Sequence, residues 1–324
     1  MNIRRRFLLA SGALLAAPLA RAQPAQPHRV LWLSVLSKEG SATFLDNFLQ
    51  GMAAHGYVVG RNLVLDARYG DNSREALERL ALEAAALKPA VIVSQGPALH
   101  AARKIPGTIP VVFGFSGDPV ELGVAQSLGR PGGRFTGVTF LAYELSGKRV
   151  ELMHEVLPKM KRLGVLSNPH HPGDRKEFEA TRVAAVRYGL EVTHHPAGNA
   201  AEIESALAGA AAARAEAIMV HPDGFMVQNR ETIARFSIQH RIPAISGWAA
   251  IAEGGNLMTY GPIQQESYRR LAYYVDRILR GAGPADLPIE LPSKLEMVVN
   301  LKSAKALGLP IPQSILLRAD RVIE

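Results

Sequence analysis

Short apolar runs alternate with amphipathic segments along most of the chain, and this alternation is the feature that most constrains its fold. Residues 30–36 (VLWLSVL) predict a buried strand, and the apolar residues within 44–52 recur at the three- and four-residue spacing of a helix. Residues 90–93 and 110–113 are further runs that are almost wholly apolar. Such runs are typical of parallel strands in a sheet that helices cover on both faces. The pattern therefore predicts an α/β domain with a doubly wound parallel sheet.

The same alternation starts again in the second half of the chain. Apolar runs at 162–166 and 217–220 are separated by predicted helices, and one further helix is expected over 226–240. A chain of 324 residues also exceeds the size at which a single core stops growing, about 250–300 residues. We therefore predict two Rossmann-like lobes joined by a hinge. The turn-rich segment 129–133 (GRPGG) places the boundary after it, near 137–146.

The first 22 residues predict a secretory signal peptide. Arginines 4–6 precede a short apolar stretch, and Ala20-Arg21-Ala22 has the form of a cleavage site, so the mature chain would begin at Gln23. A membrane-spanning helix is the weaker alternative, because it needs about 20 apolar residues and Pro18 interrupts this stretch. The arginines fit the twin-arginine export pattern, although a basic start also serves the general route.

Charge and cysteine content limit the compartment and the partners. Loss of the first 22 residues removes four arginines and no acid, which lowers the formal charge from +8 to +4. No cluster of Lys and Arg interleaved with aromatics is present, so we expect no nucleic-acid binding. The chain has no Cys, so no lipid anchor can form at the cleavage site. We expect a freely diffusing protein of a Gram-negative periplasm, without membrane insertion after cleavage.

The loops that follow the predicted strands are the candidate binding site, because ligands of open parallel sheets bind there. The candidate residues are Ser37, Gly96, Pro97, Phe115, Ser116, Gly117 and Asp118 in the first half, and Asn168, Asp223, Ser246 and Trp248 in the second. Gly96-Pro97 opens a predicted helix whose free N–H groups suit an anion such as a carboxylate. Phe115 and Trp248 are candidate platforms for stacking. The alternative is that these small polar residues only cap helices and form turns, and that Trp248 packs between lobes.

Signals for catalysis or metal binding are weak. His170-His171 and His194-His195 are adjacent pairs, whose side chains point apart on a strand. The sequence has no H-E-x-x-H spacing, nucleophile elbow, P-loop or dinucleotide fingerprint. Asp118 and Asp223 could form a carboxylate pair across a cleft, but neither has a partnered nucleophile. We predict no catalytic residue, no metal site and no cofactor.

Several motifs recur in a known family. They are Tyr69-Gly70-Asp71-Asn72, Gly117-Asp118-Pro119-Val120, residues 128–133 with 136–139, Tyr260-Gly261-Pro262, residues 278–281 (ILRG) with 284–288 (PADLP), and the tail from Val299 to Glu324. With these motifs the chain resembles, over essentially its whole mature length, the ABC-transporter substrate-binding family that includes the tryptophan- and tyrosine-type binders.

The resemblance implies a type I periplasmic-binding fold, in which three crossover segments join two lobes around a ligand. The first lobe would hold residues 28–142 plus about 262–285, and the second 143–261 plus about 286–324. The helix at 265–280 would thus return to the first lobe.

The function implied is that of a periplasmic solute-binding component of an ABC importer. It would capture a small molecule, such as an amino acid or a related compound, by hinge closure and present it to the importer's membrane subunits; it would not be an enzyme. Two alternatives stay open: a ligand-sensing module for a membrane receptor, and an exported α/β enzyme.

Overall fold

The computed structural model describes residues 26–140, 142–171 and 173–324. The predicted signal peptide lies outside these residues. No helix in the described part of the chain is long and apolar enough to cross a membrane.

The first sheet has five parallel strands in the order β2-β1-β3-β4-β5. The strands are β1 (His28–Ser34), β2 (Leu63–Tyr69), β3 (Val91–Gln95), β4 (Val111–Phe115) and β5 (Phe135–Thr139). The helices that connect them are α1 (Lys38–Ala54), α2 (Arg74–Ala85) and α3 (Leu99–Lys104). Strands β3 and β4 are buried along their whole length, as expected for apolar runs between two layers of helices.

The second sheet has seven strands in the order β12-β11-β10-β9-β8-β6-β7. The strands are β6 (Arg162–Ser167), β7 (Glu191–Pro196), β8 (Ala217–Val220), β9 (Ala244–Ser246), β10 (Met258–Pro262), β11 (Leu295–Asn300) and β12 (Arg321–Ile323). The accompanying helices are α4 (Ser146–Val156), α5 (Asp174–Val186), α6 (Ala200–Ala212), α7 (Gly224–Gln228), α8 (Arg230–His240), α9 (Ala249–Glu253), α10 (Gln264–Leu279), α11 (Leu301–Leu307) and α12 (Gln313–Leu316). The predicted fold class, an α/β protein with parallel sheets in two lobes, is confirmed.

One strand pair departs from the parallel pattern. Strands β10 and β11 are antiparallel, whereas all other neighbours in the second sheet are parallel. The chain leaves the second lobe at the end of β10, forms α10, and re-enters the same edge of the second lobe as β11. A strand that enters where its neighbour leaves must run in the opposite direction, which periodicity along the sequence cannot reveal.

The single helix predicted over 226–240 is wrong, because two helices occupy this segment. Helix α7 ends and α8 begins at Asn229, whose backbone angles (φ −99°, ψ 9°) leave the helical region. The Asn229 side chain donates to the carbonyl of Phe225 at 2.8 Å. An Asn side chain that bonds to nearby backbone in this way competes with helix continuation.

Helix α10 follows a strand of the second sheet but packs on the first lobe. Its buried Tyr268 lies against Phe44 and Trp32, with ring centroids 4.9 and 6.3 Å apart. At Gly51 of α1 an added Cβ would lie 2.5 Å from the carbonyl oxygen of Arg269, so only glycine allows these two helices to approach so closely. The residue limits predicted for the two lobes stay a prediction.

Candidate functional site

The carboxyl ends of the two sheets face each other, and their loops are in direct contact. The Phe115 ring, at the end of β4, is stacked on His171 of the β6–α5 loop, with centroids 6.4 Å apart and planes at 25°. At the start of α7, a Cβ added to Gly224 would lie 2.8 Å from Leu36 Cδ1 of the first lobe. The lobes are therefore closed on each other, and backbone and side chains from both lobes form the wall between them.

Trp248 packs at this lobe contact. Its ring meets Phe44 of α1 edge-on at 6.4 Å and Phe140 at 6.1 Å. It is 4 % exposed, and Phe115 is fully buried. Both predicted stacking platforms thus contact protein rings in the closed form, and their stacking on a ligand stays a prediction.

An ion-pair cluster bridges the two lobes at the surface. Lys176 Nζ, in the first turn of α5, lies 2.8 Å from Glu121 Oε1 and 3.3 Å from Asp118 Oδ2 of the first lobe. It also lies 4.1 Å from the centroid of the Tyr143 ring. Partial burial opposes the Lys176 charge, but the two carboxylates raise the pKa of its ammonium overall. Because Lys176 and the carboxylates belong to different lobes, these contacts, which we call the Lys176 clasp, exist only when the lobes are closed.

A fully buried guanidinium joins α4 to β10 and α5. Arg149 of α4 donates from Nε to the carbonyl of Tyr260 at 3.0 Å and from Nη1 to the carbonyl of Ala142 at 3.3 Å. Tyr260 belongs to β10, and Ala142 lies just before α4. Nη1 also lies 3.0 Å from Glu177 Oε1, and both side chains are at most 2 % exposed. Burial lowers the pKa of Arg149, and the Glu177 charge opposes that shift. Arg149 therefore ties β10 and the segment before α4 to α5.

A small cavity of about 30 Å³ lies between the lobes, and both lobes line it. Its lining residues are Val35, Leu36, Asn72, Arg74, Pro97, Asn168, His170, Gly198, Asp223 and Phe225. Three of the predicted site residues, Pro97, Asn168 and Asp223, are among them. This volume is roughly the space of one water molecule, so a larger ligand can be accommodated only if the lobes part further.

Asp223 is the acidic side chain of this cavity. It is 4 % exposed, and its Oδ1 accepts the backbone N–H of Phe225 at 2.8 Å and the amide of Asn168 at 3.2 Å. Asn168 Oδ1 in turn accepts the backbone N–H of His170 at 2.9 Å. These bonds hold the Asp223 carboxylate in the cavity wall, and the same carboxylate caps the first turn of α7.

The other predicted residues make local contacts around the cleft. Ser37 caps α1 by accepting the N–H of Gly40 at 3.1 Å. Ser246 donates to the carbonyl of Val220 at 2.7 Å. The carbonyl of Ser116 accepts the backbone N–H of Ala142, and the carbonyl of Gly117 accepts the Thr139 hydroxyl. Asp118 Oδ1 accepts the N–H groups of Val120 and Glu121, so this oxygen caps a turn. Gly96 has φ +56° and open space beside its Cα, which lets the chain turn sharply at the cleft.

Sequence reasoning missed several lining residues: Asn72, Arg74, His170 and Phe225. Asn72 and Arg74 follow the end of β2, where the chain takes up left-handed angles at Asp71 (φ 48°) and Asn72 (φ 65°). The other candidate loops were chosen because they follow predicted strands, and the loop after β2 meets the same criterion. Asp71-Asn72 served only as a family motif, although it marked a turn into the cleft.

A serine, a histidine and a carboxylate meet in the second lobe, but their geometry is not that of a catalytic triad. Ser167 Oγ lies 2.7 Å from His194 Nε2, and Asp174 Oδ1 lies 3.8 Å from the same Nε2 atom. A general base for serine needs one ring nitrogen for the hydroxyl and the other for the carboxylate. His194 cannot fill both roles through one nitrogen.

The sequence matches the model of the family described as ABC transporter substrate binding protein over residues 30–323. The chain belongs to this family. Among curated proteins it is similar to a tyrosine-binding protein of Clostridioides difficile (strain R20291), with 23 % identity over 267 residues, which cover 81 % of this chain and 75 % of that one.

Two solved structures of similar proteins cover 92 % of this ABC transporter substrate-binding protein and 100 % of their own chains. A conserved domain protein from Vibrio cholerae has 25 % identity and a TM-score of 0.86. A Streptococcus pneumoniae ABC domain, solved in complex with L-Trp, has 22 % identity and a TM-score of 0.84. These matches confirm the predicted family and the two-lobed type I periplasmic-binding architecture.

Proposed function

We propose that this ABC transporter substrate-binding protein is the ligand-capturing component of an importer and works in the periplasm. The observation that carries the proposal is the cavity between the lobes, which polar side chains of both lobes line. A ligand held there contacts Asn72 and Pro97 from one side and Asn168 and Asp223 from the other. A ligand larger than this cavity parts the lobes further and still touches both walls, so it binds such a partly closed form better than a fully open one, and differential affinity of this kind shifts the population towards closure.

The ligand that we propose is an amino acid or a related small molecule. One similar protein is a tyrosine-binding protein and another was solved in complex with L-Trp. The cavity of this chain offers the chemistry that such a molecule requires, because Asp223 and Asn168 can accept and donate hydrogen bonds while Leu36 and Phe225 supply apolar surface. Among the predicted site residues, we keep all eleven as contacts of the cleft walls, and we place Asp223 and Asn168 nearest to the ligand.

Binding without turnover is part of the proposal. Family membership supports it, and so does the Ser167, His194 and Asp174 arrangement, which lacks a relay through two ring nitrogens. The test is to purify the protein without unfolding it, release its small molecules and identify them by mass spectrometry. Calorimetry with the released compound should give one site per chain and no product. Two independent sites, or conversion of the compound, would contradict the proposal.

We also propose export, with cleavage before Gln23. Ala20-Arg21-Ala22 and the preceding apolar stretch support it. N-terminal sequencing of protein from a periplasmic extract should begin at Gln23, and retention of residues 1–22 in a membrane fraction would argue against it. Replacing arginines 4–6 by Lys should block export if the twin-arginine route is used and leave it largely intact on the general route.

The membrane subunits of the importer are the proposed partners. Crosslinking of the ligand-loaded protein in intact cells should recover the transmembrane subunits of an ABC transporter. Recovery of a membrane receptor instead would replace the importer by a sensory role and leave ligand capture unchanged.

A further inference from the structure

Arg74 brings a positive charge to the cavity between the lobes. It is the first residue of α2 and lines the cavity together with Asn72 and Pro97 of the first lobe. Asp223 lines the same cavity from the second lobe. One positive and one negative side chain therefore reach one small space from opposite walls.

Arg74 forms no ion pair within the part of the chain that the structure describes, and the neighbouring Glu75 carboxylate interacts with its charge only at longer range. Its natural partner would be Glu78, one turn further along α2, but Glu78 Oε2 lies 2.7 Å from Lys104 Nζ instead. A cation in the first turn of a helix is also disfavoured by the helix dipole, whose positive end lies there. Helix stability therefore does not explain an arginine at this position.

Arg74 lies close enough to a neighbouring histidine to affect its ionisation. Arg74 lies beside Pro97 and His100 of the first lobe. Burial, followed by the charge of Arg74, lowers the pKa of His100 to about 4. The His100 imidazole is thus neutral near pH 7. The Arg74 guanidinium is then the positively charged group on the first-lobe side of the cavity.

Asp223 lacks a cationic partner as well. Both of its hydrogen bonds come from neutral donors and end on the same oxygen, Oδ1. No Lys, Arg or His nitrogen lies within ion-pair distance of it in the described residues. A buried carboxylate in this state gains from a positive group on the ligand.

We propose that Arg74 is the residue that recognises an anionic group of the ligand, and that it makes the cleft selective for molecules that carry a carboxylate. The inference rests on the proposed function, and it assigns the anion to a side chain rather than to the helix start at Gly96-Pro97. That helix start is a 3-10 turn followed by the six residues of α3, too short to present a strong dipole. Asp223, on the opposite wall, is then free for the positive end of the ligand.

The test uses the common L-amino acids and their methyl esters, which keep the ammonium and lose the carboxylate charge. Each is titrated by thermal shift and calorimetry into the full mature protein and into three variants. Arg74→Met removes the charge, Arg74→Lys keeps it, and Arg79→Met removes an arginine from the same helix that is 71 % exposed and pairs with Glu83. Circular dichroism of the ligand-free variants checks that all are folded.

We expect an amino acid to bind the unmodified protein at least tenfold more tightly than its ester. Arg74→Met should weaken the acid about tenfold to a hundredfold, the range for a hydrogen bond to a charged group, and should bind acid and ester alike. Arg74→Lys should keep part of the preference, and Arg79→Met should keep all of it.

Equal binding of acid and ester by the unmodified protein overturns the assignment, and so does an Arg74→Met variant that still prefers the acid. If no amino acid binds but an uncharged compound is released from the native protein, the proposal of ligand capture is supported and the proposed role of Arg74 is contradicted. If the native protein releases nothing and binds nothing, the proposed function itself fails.

Discussion

At Asp223 one carboxylate oxygen serves two purposes, since it caps α7 and lies in the cavity wall. Asp223→Asn can keep the cap acceptor while it removes the charge. We expect this variant to bind the natively released ligand about tenfold to a hundredfold more weakly. Its stability should change by less than the roughly 1 kcal/mol of a lost cap. Calorimetry and thermal melting of the same sample measure both effects.

Asp223→Ala is the matched comparison, because it removes cap and charge together. Its melting temperature should fall below that of Asp223→Asn while the affinities of the two variants remain similar. Unchanged affinity in both, with a lowered melting temperature, would mean that Asp223 only shapes a turn.

Asp118→Ala should act differently, because Asp118 Oδ1 caps a turn and Oδ2 pairs with Lys176. It should weaken ligand binding by making the closed form of the two lobes less stable.

His100 gives the protein a pH dependence whose sign follows from its burial. The pKa of His100 is lowered to about 4 in the folded state, against 6.5 for the ordinary side chain. The folded state therefore favours neutral His100, so the stabilisation is complete above pH 6.5 and is lost as the pH falls towards 4. Urea unfolding at pH 7 and pH 4.5 should show this loss, and His100→Gln should reduce it. An equal loss in the variant would assign the effect to other groups, such as His194 and His195, whose pKa values are also lowered by burial.

At the scale of elements, the first turn of α5 meets the loop after β4 through the Lys176 clasp. Exposed ion pairs contribute about 0.2–1 kcal/mol each, so we expect Lys176→Gln to speed ligand release about twofold to tenfold. The effect should shrink in high salt, because screening already weakens the clasp of the unmodified protein. Stopped-flow release at two salt concentrations measures it. Lys148→Gln is the control, since Lys148 pairs with Glu151 of its own helix at 2.6 Å; equal effects of the two changes would remove any special role of the clasp.

A buried ion pair between Arg149 and Glu177 joins α4 to α5. Removing one partner of such a pair leaves an uncompensated buried charge, at a cost of about 3–5 kcal/mol. We expect Arg149→Met to lower the free energy of unfolding by about this amount in urea titrations. The double variant with Glu177→Leu should recover part of the loss, because it removes the orphaned carboxylate. A loss below about 1 kcal/mol in the single variant would mean that water reaches the Glu177 carboxylate.

At the scale of the whole molecule, the two series of strands and helices could be predicted from the sequence, because each short apolar run indicates a buried strand. Strand β8 (Ala217–Val220) matches the predicted run at 217–220, and β3 (Val91–Gln95) overlaps the predicted run at 90–93. The contacts that close the cleft join distant residues, such as Lys176 and Asp118, and no local pattern encodes them. The position of α10 came from family resemblance alone. Arg74 was missed because a free arginine at a helix start looks like any surface charge until the opposite lobe is in place.

The first lobe is built from two separate parts of the chain, which makes a prediction about fragments. Residues 26–142 lack α10 and would expose the apolar surface around Trp32 and Phe44 that Tyr268 covers. We expect this fragment not to unfold cooperatively, and we expect fusion of residues 263–282 through a flexible linker to restore a cooperative transition in circular dichroism. The same fusion carrying Tyr268→Asp should fail. A cooperative transition in residues 26–142 alone would contradict the assignment of α10 to this lobe.

The return of α10 also has a consequence for synthesis on the ribosome. Domains generally fold as units and in the order in which they emerge, yet the first lobe here lacks its covering helix until residue 279 has been made. The second lobe also stays incomplete until late in synthesis, because its strands β11 and β12 end at residues 300 and 323. Neither lobe can therefore be completed while most of the chain is still being translated. For nearly the whole of its synthesis, the nascent polypeptide remains a substrate for chaperones and for any machinery that moves unfolded chains.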